Sequence, residues 1–308
     1  MSPLVFINIL TWNGEKWIEK CIDSILNSDY NNFKILVIDN HSNDRTCKIV
    51  KTFYPKTILI ENNKNKGFAE GNNIGIRNAL KFNPDFIVLL NQDIIVKPQW
   101  LRELVNVAQE FKEYGVLTPF QYEYYSNNPD PHFLKRMLSY NEEFRENYNA
   151  KKLKRIYEHS YSFGSAIFIK QEVFYKVGLF DPLYFAYHEE GDFFRRCIFH
   201  GYKMALVTSS EIKHWHTAIH PKSMSFKRKY LSYRNIFIAI LKNPNEPFIQ
   251  NMLDWVRTAI KMLLKELKNI RGLITMPMIF FIHFRIFILL PIIVRRRNIE
   301  KKDLAAFE

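Results

Sequence analysis

Short apolar runs alternate with amphipathic helical patterns over about the first ninety residues, and this alternation limits the fold more than any other feature. Strands are predicted at Leu4–Leu10, Phe33–Asp39, Thr57–Glu61 and Asp85–Leu90, with helices between them. A polar loop is predicted at Asn62–Gly71, before the third helix. Strands that alternate with single helices favour a parallel, doubly wound α/β sheet, and such sheets bind ligands at the carboxyl ends of their strands.

The remainder of the chain predicts more elements of this domain and then a helical tail. Further helices and strands are predicted at 97–112, Ser162–Lys170, His188–His200 and Met204–Thr208. The polar segment 121–158 predicts a helix or a loop. From about residue 226 onward the pattern is helical and then strongly apolar, which indicates a C-terminal extension.

The charge of the chain narrows the classes of partner that it can bind, and its cysteine content indicates the redox compartment. The chain has 44 Lys and Arg residues against 31 Asp and Glu, a net charge of +13, which favours anionic partners. Segment 251–308 has 11 basic and 5 acidic residues beside the most apolar stretch, which points to anionic lipid rather than to nucleic acid. Three widely spaced cysteines fit a reducing cytosol, and no signal peptide is expected at the N-terminus.

Polar side chains at the predicted strand ends form a candidate ligand site. An acid at Asp39 can accept hydrogen bonds from a nucleobase or a ribose, although an Asx turn with a helix cap is an equal alternative. Asp93 follows the apolar run Ile87–Leu90 and suits a hard divalent cation bound to a diphosphate. A turn that ends the strand is the alternative for Asp93.

Two further clusters carry titratable side chains. Glu189, Glu190 and Asp192 lie at a predicted helix N-terminus, where the helix dipole offsets part of their mutual repulsion. A carboxylate there can deprotonate a sugar hydroxyl, and a solvated helix start is the alternative. His214 and His216 share one face of a strand and can act as a metal ligand and a phosphate contact. Histidines with a purely structural role are the alternative.

Seven sequence blocks follow one another in a recognisable order. They are Thr11-Trp12-Asn13, Ile35–Asp44 (ILVIDNHSND), Asn65–Ile76 (NKGFAEGNNIGI), Leu89–Val96 (LLNQDIIV), Gly164–Asp181 (GSAIFIKQEVFYKVGLFD), Glu189–Arg196 (EEGDFFRR) and Tyr233-Arg234-Asn235. Over roughly residues 4–240 this order resembles family 2 glycosyltransferases, in their rhamnosyltransferase-like branch. The third and fifth blocks are the most specific.

The resemblance implies a fold, a mechanism and a domain organisation. The fold would be that of nucleotide-diphospho-sugar transferases, the glycosyltransferase A-type α/β fold with a mostly parallel central sheet, and the mechanism would be inverting. A catalytic domain at 1–225 would comprise a nucleotide-sugar-binding half, 1–95, and an acceptor half, 96–225. A helical, membrane-associating extension would occupy 226–308.

The resemblance also implies roles for individual residues. Asp39 would contact the nucleoside, and Asp93 with His214 would hold Mg²⁺ or Mn²⁺, because Asn91 and Asp93 match the family's Asp-x-Asp metal motif. The triplet of Glu189, Glu190 and Asp192 matches a Glu-Asp-x-Asp motif whose second acid, here Glu190, is the general base. The donor-binding set is Thr11, Asn13, Asp39, Asn40, Gly67, Asn72, Asn73, Asn91 and Asp93.

Two departures from the family pattern leave alternatives open. Asn91 replaces the first aspartate of the metal motif, so strict metal dependence stays open. Glu190 is one methylene longer than the usual aspartate, so Glu189 is the alternative base.

Several function classes compete with this interpretation. The donor would be a nucleotide-diphosphate sugar, with rhamnose suggested by the branch, and the acceptor a saccharide or lipid-linked saccharide. A catalytically weakened glycan-binding or scaffold protein of the same fold is the main alternative. An oxidoreductase is disfavoured because Thr11–Lys16 reads TWNGEK, without the Gly-x-Gly-x-x-Gly fingerprint. Nucleic acid is not an expected partner, because no recognisable binding module is present.

The apolar segment Gly272–Val294 raises the question of a membrane span. It is long enough to cross a bilayer, but Arg285 lies near its centre, and Pro277 and Pro291 would kink a helix. We therefore predict a peripheral, monotopic association with the anionic cytoplasmic face of the cell membrane. A spanning helix and a homo-oligomer interface are the two alternatives.

Overall fold

A computed structural model describes residues 2–160, 164–215, 225–267 and 270–301, without the side chains of 270–274. Within these residues nine strands form one sheet: β1 (Val5–Thr11), β2 (Phe33–Asp39), β3 (Ile58–Glu61), β4 (Phe86–Asn91), β5 (Ile94–Val96), β6 (Tyr114–Glu123), β7 (Ile156–Glu158), β8 (Ala166–Lys170) and β9 (Lys203–His214). His216, which was predicted to share a face with His214, lies outside the described residues.

Helices cover both faces of the sheet and form the C-terminal part of the chain. In chain order they are α1 (Ile18–Leu26), α2 (Thr46–Phe53), α3 (Gly67–Leu80), α4 (Trp100–Glu110), α5 (Pro131–Tyr140), α6 (Glu142–Asn149), α7 (Gln171–Val177), α8 (Glu189–Phe199), α9 (Phe226–Lys242), α10 (Phe248–Leu267) and α11 (Ile270–Glu300), with a short 3₁₀ turn at Pro182–Tyr184.

The strand order is β3-β2-β1-β4-β8-β6-β9-β5, with β7 paired to β9. The first four strands are parallel to one another, as the alternation in the sequence predicts. In the second half β9 is parallel to β6, whereas β8, β5 and β7 each run antiparallel to their partners. The predicted α/β fold is confirmed, and its antiparallel strands are confined to the second half.

Successive side chains of each inner strand enter two different cores. In β1, Val5, Ile7 and Ile9 pack with the apolar faces of α1 and α4, whereas Phe6 packs on the opposite face with α3, α7 and α8. Because both faces are covered, the inner strands are apolar at nearly every position, which explains the continuous runs in the sequence. The polar residues lie at the ends of the strands, and the candidate ligand site is formed there.

Two element boundaries differ from the prediction for physical reasons. α3 begins at Gly67, four residues before the end of the predicted loop, because the carbonyl of Phe185 accepts hydrogen bonds from the free N–H groups of its first turn. β9 continues to His214 instead of ending at Thr208. Its polar residue Ser210 is fully buried and donates to the Trp100 carbonyl at 2.8 Å, a long-range contact that periodicity cannot indicate.

The C-terminal helices pack against the preceding part of the chain. Tyr184 is fully buried in a core shared with α9, α10 and α11. Beside it lies a group of ionic side chains that we call the buried charge cluster, comprising Asp181, Asp192, Arg195, Arg196, Lys242, Arg296 and Glu300. Lys242 of α9 contacts Asp181 at 2.7 Å, Asp192 at 3.0 Å and Glu300 at 2.6 Å, so the cluster ties α8, α9 and α11 together.

Candidate active site

The carboxyl ends of β1, β2 and β4 meet at one edge of the sheet. Strand register places Thr11 beside Asp39 and Leu10 beside Asn91. A cavity of about 610 Å³ opens at this edge. The predicted residues Thr11, Asn40, Gly67, Asn91 and Asp93 line it, together with Leu10, Trp12, Asn65, Phe68, Gln92, Phe185, Ala186, Tyr187, Ser225, Lys227, Arg228 and Leu231.

The loop after β1 is fixed by hydrogen bonds to its neighbours. Thr11 Oγ1 donates to Gln92 Oε1 at 2.5 Å, and the Trp12 N–H donates to the same oxygen at 3.1 Å. Asn13 has a positive φ of 49°, and its Oδ1 accepts from the Asn43 N–H at 2.9 Å. Gln92, the middle residue of the Asn-Gln-Asp motif, thus connects the ends of β1 and β4.

Asp39 and Asn40 organise the two loops that flank the cavity. Asp39 is buried and accepts from the Ser42 N–H at 2.9 Å and from the Ser42 hydroxyl at 2.5 Å, which is the Asx-type turn considered from sequence. Asn40 donates to the Gly67 carbonyl at 2.9 Å and accepts from the Lys66 N–H at 2.9 Å. Asn40 lines the cavity, whereas Asp39, the preceding residue, does not.

Gly67 allows the backbone to approach the far wall of the cavity. Its φ is +80°, and a Cβ at this position would lie 2.4 Å from the Phe185 carbonyl oxygen. That oxygen accepts from the N–H groups of Phe68 at 2.6 Å and Ala69 at 3.2 Å. The segment 185–188 therefore closes on the N-terminus of α3, and it carries positive φ angles at Phe185, Tyr187 and His188.

Asn72 and Asn73 are buried behind the cavity wall. Asn72 Nδ2 donates to the Phe68 carbonyl at 3.0 Å within α3. Asn73 Nδ2 donates to the Phe180 carbonyl at 2.8 Å, and its Oδ1 accepts from the Phe180 N–H at 3.0 Å. Neither residue lines the cavity. The two bonds of Asn73 connect α3 to Phe180, in the segment that precedes Phe185.

Asp93 and His214 face each other across β5 and β9. His214 Nε2 lies 3.6 Å from Asp93 Oδ1, and that oxygen is buried without a hydrogen-bond partner among the described residues. Those residues contain no group of three or more His, Cys, Asp or Glu side chains able to hold a metal ion. Mg²⁺ is commonly held by one or two carboxylates plus substrate phosphates, so this donor set fits a cation only together with a diphosphate.

Glu189, which is buried, and Glu190, which is half-buried, form a carboxyl pair at the start of α8. Burial raises the pKa of Glu189 well above its ordinary value, and the charge of Glu190 adds to this. Burial also raises the pKa of Glu190, but a hydrogen bond from Glu189 and the positive charge of Arg136 act in the opposite direction. The pKa of Glu189 is thus raised further than that of Glu190, which makes Glu190 the stronger candidate base.

The position of Glu190 relative to the cavity follows from β8. A Cβ built on Gly164 would lie 3.4 Å from Glu190 Oε1, and the neighbouring Ser165 carbonyl accepts from the Asn91 N–H at 2.9 Å. Tyr187, three residues before Glu190, lines the cavity. The Glu190 carboxyl thus lies next to the residues that bond to Asn91, and it is not itself one of the described residues that line the cavity.

Asp192 faces away from this pair, into the buried charge cluster. Its carboxylate contacts Arg195 Nη2 at 2.7 Å, Arg196 Nε at 3.0 Å and Lys242 Nζ at 3.0 Å. It also accepts from the Tyr184 hydroxyl at 3.0 Å. Although burial opposes ionisation, the cations hold the pKa of Asp192 far below its ordinary value. Of the three acids in the predicted triplet, Asp192 is the one whose oxygens are occupied by cations.

Several cavity residues carry no sequence signal that indicates a site. Phe185 and Tyr187 lie between two recognisable blocks, and Lys227 and Arg228 lie in the part of the chain predicted to be the extension. Gln92 lies inside the Asn-Gln-Asp motif, of which only the two outer positions match the family's metal motif. Proximity in the fold, not residue type, brings these five side chains together.

Comparison with known proteins gives one family and several relatives. The model of Glycosyl transferase family 2 matches residues 7–178. An uncharacterized glycosyltransferase of Haemophilus influenzae is 32% identical over 111 residues, 35% of this chain and 33% of that protein. A dTDP-rhamnosyl transferase of Shigella flexneri is 22% identical over 253 residues, 79% of this chain and 82% of that protein. The match thus spans only about a third of the Haemophilus protein.

Solved structures of similar fold are glycosyltransferases. S. aureus TarS, in complex with UDP, superposes with a TM-score of 0.57 at 15% identity, covering 80% of this chain and 68% of that chain. A mannosyltransferase of Pyrobaculum calidifontis, in complex with GDP-Man and Mn²⁺, superposes with a TM-score of 0.54 at 17% identity. The match covers 83% of this chain and 65% of that chain. The glycosyltransferase A-type fold expected from the sequence is confirmed.

Proposed function

Because the chain belongs to glycosyl transferase family 2, we propose that it transfers a sugar from a nucleotide-diphosphate donor to a hydroxyl of a saccharide or lipid-linked saccharide, with inversion. The observation that carries this proposal is the shared edge of the sheet, where Asp93 and Asn91 line the cavity and Glu190 lies beside Gly164, whose neighbour Ser165 bonds to Asn91. In this proposal, residues 1–95 bind the donor, and residues 96–225 form most of the acceptor-binding site.

The donor would lie along the wall built by the loops after β1, β2 and β3. The polar side chains of Thr11 and Asn40 and the backbone around Gly67 would face the nucleoside and ribose. Asp39 and Asn13 would act by holding the loops that carry these groups, since their own oxygens are engaged with Ser42 and Asn43. Asn73 would have the same supporting role for Phe185.

Asp93, with His214 beside it, would hold Mg²⁺ or Mn²⁺ together with the donor's phosphates. The ion, when bound, supplies positive charge to the leaving diphosphate. The Pyrobaculum mannosyltransferase carries Mn²⁺ with its donor, which supports a divalent cation in this fold. Asn91 adds an amide but no charge, and Asp93 is the only carboxylate among the described residues that line the cavity.

Glu190 would act as the general base. Its carboxylate takes the proton of the acceptor hydroxyl while the hydroxyl oxygen forms a bond to the anomeric carbon. The bond from that carbon to the diphosphate breaks, and the nucleoside diphosphate leaves with the electron pair. Attack from the face opposite the diphosphate inverts the configuration. A positioned base of this kind typically contributes about 10²–10⁴-fold to the rate.

We further propose that α10 and α11 bind the cytoplasmic face of the membrane. α11 contains a stretch, Thr275–Glu300, that is long and apolar enough to cross a bilayer, and most of it is not buried inside the protein. One face of α11 packs on the protein, yet the opposite face exposes Phe280, Phe281, Phe284, Phe287, Ile288 and Ile292. A helix that is apolar all round needs an apolar environment on its free side.

The helix α10 adds an amphipathic surface to the same region. Its exposed apolar residues recur at helical spacing, namely Ile249, Leu253, Val256, Ile260, Leu264 and Leu267. Lys261 and Lys265 are exposed next to this stripe, which is the pattern of helices that lie in the plane of an anionic membrane. Extraction of cell membranes with carbonate is expected to release the protein; retention would favour a spanning α11 instead.

A nucleotide-sugar screen tests the proposed reaction. We expect one of dTDP-rhamnose, UDP-GlcNAc and GDP-mannose to raise the unfolding temperature with Mn²⁺ present and to be cleaved slowly to its nucleoside diphosphate; dTDP-rhamnose comes first because of the Shigella relative. Asp93→Ala is expected to weaken the metal-dependent part of this stabilisation. Stabilisation without cleavage or transfer, with any acceptor tried, would favour a glycan-binding or scaffold protein instead.

A further inference from the structure

Two cations from α9 lie in the wall of the donor cavity. Lys227 and Arg228 line it, and Asp93 is the only other charged residue among its described lining residues. The cavity wall therefore carries two positive charges and one negative charge, a balance that favours an anionic ligand. In the sequence these two residues belong to the segment predicted as a membrane-associating extension.

The two cations are held in place by aromatic rings that also line the cavity. Lys227 Nζ lies 5.5 Å from the centre of the Phe185 ring, and Arg228 Cζ lies 5.2 Å from the centre of the Tyr187 ring. Ser225 caps the same helix end, because its Oγ accepts from the Arg228 N–H at 3.3 Å. The N-terminus of the 17-residue helix α9, with its positive dipole end, thus opens at the cavity.

α9 is anchored to the segment that bears these rings. Asn235 Nδ2 lies within 2.9 Å of the carbonyl oxygens of Tyr184, Ala186 and Tyr187. Arg234 Nη2 donates to the Leu183 carbonyl at 2.8 Å. Because Asn235 is fully buried, the relative position of α9 and the cavity wall is set by these bonds and not by the exposed cations themselves.

We propose that Lys227 and Arg228 bind the diphosphate of the donor and neutralise its charge, so that diphosphate binding does not depend on a divalent cation alone. The proposal rests on the proposed function and explains how a cavity with a single carboxylate serves a diphosphate. A carboxylate-poor metal site leaves phosphate charge uncompensated, and two cations at the rim compensate it. Arg and Lys are both suited to this role, Arg through its fork of donors and Lys as a point charge.

The test compares nucleoside diphosphates with nucleosides in the absence of metal. Binding of UDP, GDP and dTDP, and of uridine, guanosine and thymidine, is measured by calorimetry in EDTA for the wild-type protein, for the double variant Lys227→Ala/Arg228→Ala and for Lys229→Ala. Lys229 is a matched control, since it lies next in the chain but pairs with Glu266 at 3.2 Å instead of lining the cavity.

We expect the wild-type protein to bind the matching diphosphate more tightly than its nucleoside in EDTA. The double variant should lose at least about tenfold of diphosphate affinity and keep its nucleoside affinity, which also shows that it is folded. Lys229→Ala should retain both affinities.

Three results would overturn the proposal. Equal diphosphate affinity of the double variant and the wild-type protein would show that the cations do not bind phosphate. A wild-type diphosphate affinity that falls to the nucleoside level in EDTA would assign the phosphate to the metal alone. If no nucleotide binds the wild-type protein with or without Mn²⁺, the proposed function itself fails, and this inference fails with it.

Discussion

The first turn of α8 separates two groups of carboxyls that the sequence presents as one triplet. On one side Glu189 is buried and Glu190 half-buried, and each has one buried oxygen that has no hydrogen-bond partner among the described residues. On the other side, Asp192 is surrounded by Arg195, Arg196 and Lys242. Burial alone therefore does not distinguish the two sides; the presence of compensating cations does.

This difference teaches how to assign roles to neighbouring acids. Removing a charge that is paired and buried leaves its partners uncompensated, which costs folding free energy. Glu190 is influenced by the positive charge of Arg136 but is not surrounded by three cations as Asp192 is, so its removal should cost less stability and its presence calls for a chemical explanation. The comparison therefore predicts that a substitution at Glu190 lowers activity, whereas a substitution at Asp192, two residues further along the chain, lowers stability.

The largest expected effect is on catalysis. Glu190→Gln is expected to lower transfer about 10²–10⁴-fold, because the amide cannot accept the acceptor's proton. Its unfolding temperature and its affinity for the nucleoside diphosphate should match those of the wild-type protein. Glu189→Gln is the matched variant, expected to retain much more turnover; a larger loss in Glu189→Gln than in Glu190→Gln would make Glu189 the base.

The second effect is on folding. Asp192→Asn removes the central anion of the buried charge cluster and is expected to lower the free energy of unfolding by about 3–5 kcal/mol, measured by urea denaturation. Asp254→Asn is the control, since its ion pair with Arg257 at 3.2 Å is exposed and such pairs contribute at most about 1 kcal/mol. Similar losses in the two variants would remove the distinction between the two sides of α8.

The same contrast extends to the bases of the C-terminal extension and gives a third, smaller effect. Arg296 and Arg297 turn inward, to Asp181 and to the carbonyls of Asn243 and Glu246, whereas Lys261 and Lys265 are exposed. Lys261→Gln/Lys265→Gln is expected to weaken binding to anionic vesicles by about 2 kcal/mol, or about 30-fold, measured by co-sedimentation.

A matched pair of lysines on the catalytic domain tests whether this effect is local. Lys48 and Lys56 are exposed on and after α2, far along the chain from the extension. Replacing both with glutamine lowers the net charge by the same amount and should leave vesicle binding nearly unchanged. An equal loss in both double variants would show that net charge, and not the α10 surface, drives vesicle binding.

How much of this the sequence could predict depends on the range of the contacts involved. β1, β2, β4 and their helices follow from local periodicity, and the strand-end residues Thr11, Asn40 and Asp93 reach the cavity because parallel strands end together. The extent of β9 and the early start of α3 depend on contacts with distant residues such as Trp100 and Phe185, which periodicity does not encode.

The functional side chains outside the motifs were missed for the same reason. Lys227 and Arg228 reach the cavity only because Asn235 anchors α9 to the 183–187 segment. A count of charges in the C-terminal segment suggested lipid contacts for every base, but Arg296 and Arg297 are engaged within the protein. Composition gives the number of charges and not their partners.

The smallest expected effect is a shift in pH dependence, and it probes the carboxyl pair itself. Activity requires ionised Glu190, so it should fall as the pH drops through the pKa of Glu190, which burial raises above the ordinary 4.5. Glu189→Leu keeps the site buried but removes the hydrogen bond that lowers the pKa of Glu190, so the acid limb of kcat/KM should move to higher pH. An acid limb that moves to lower pH would mean that repulsion by an ionised Glu189 raises the pKa of Glu190 in the wild-type protein. Glu190 would then be the carboxyl with the higher pKa of the two.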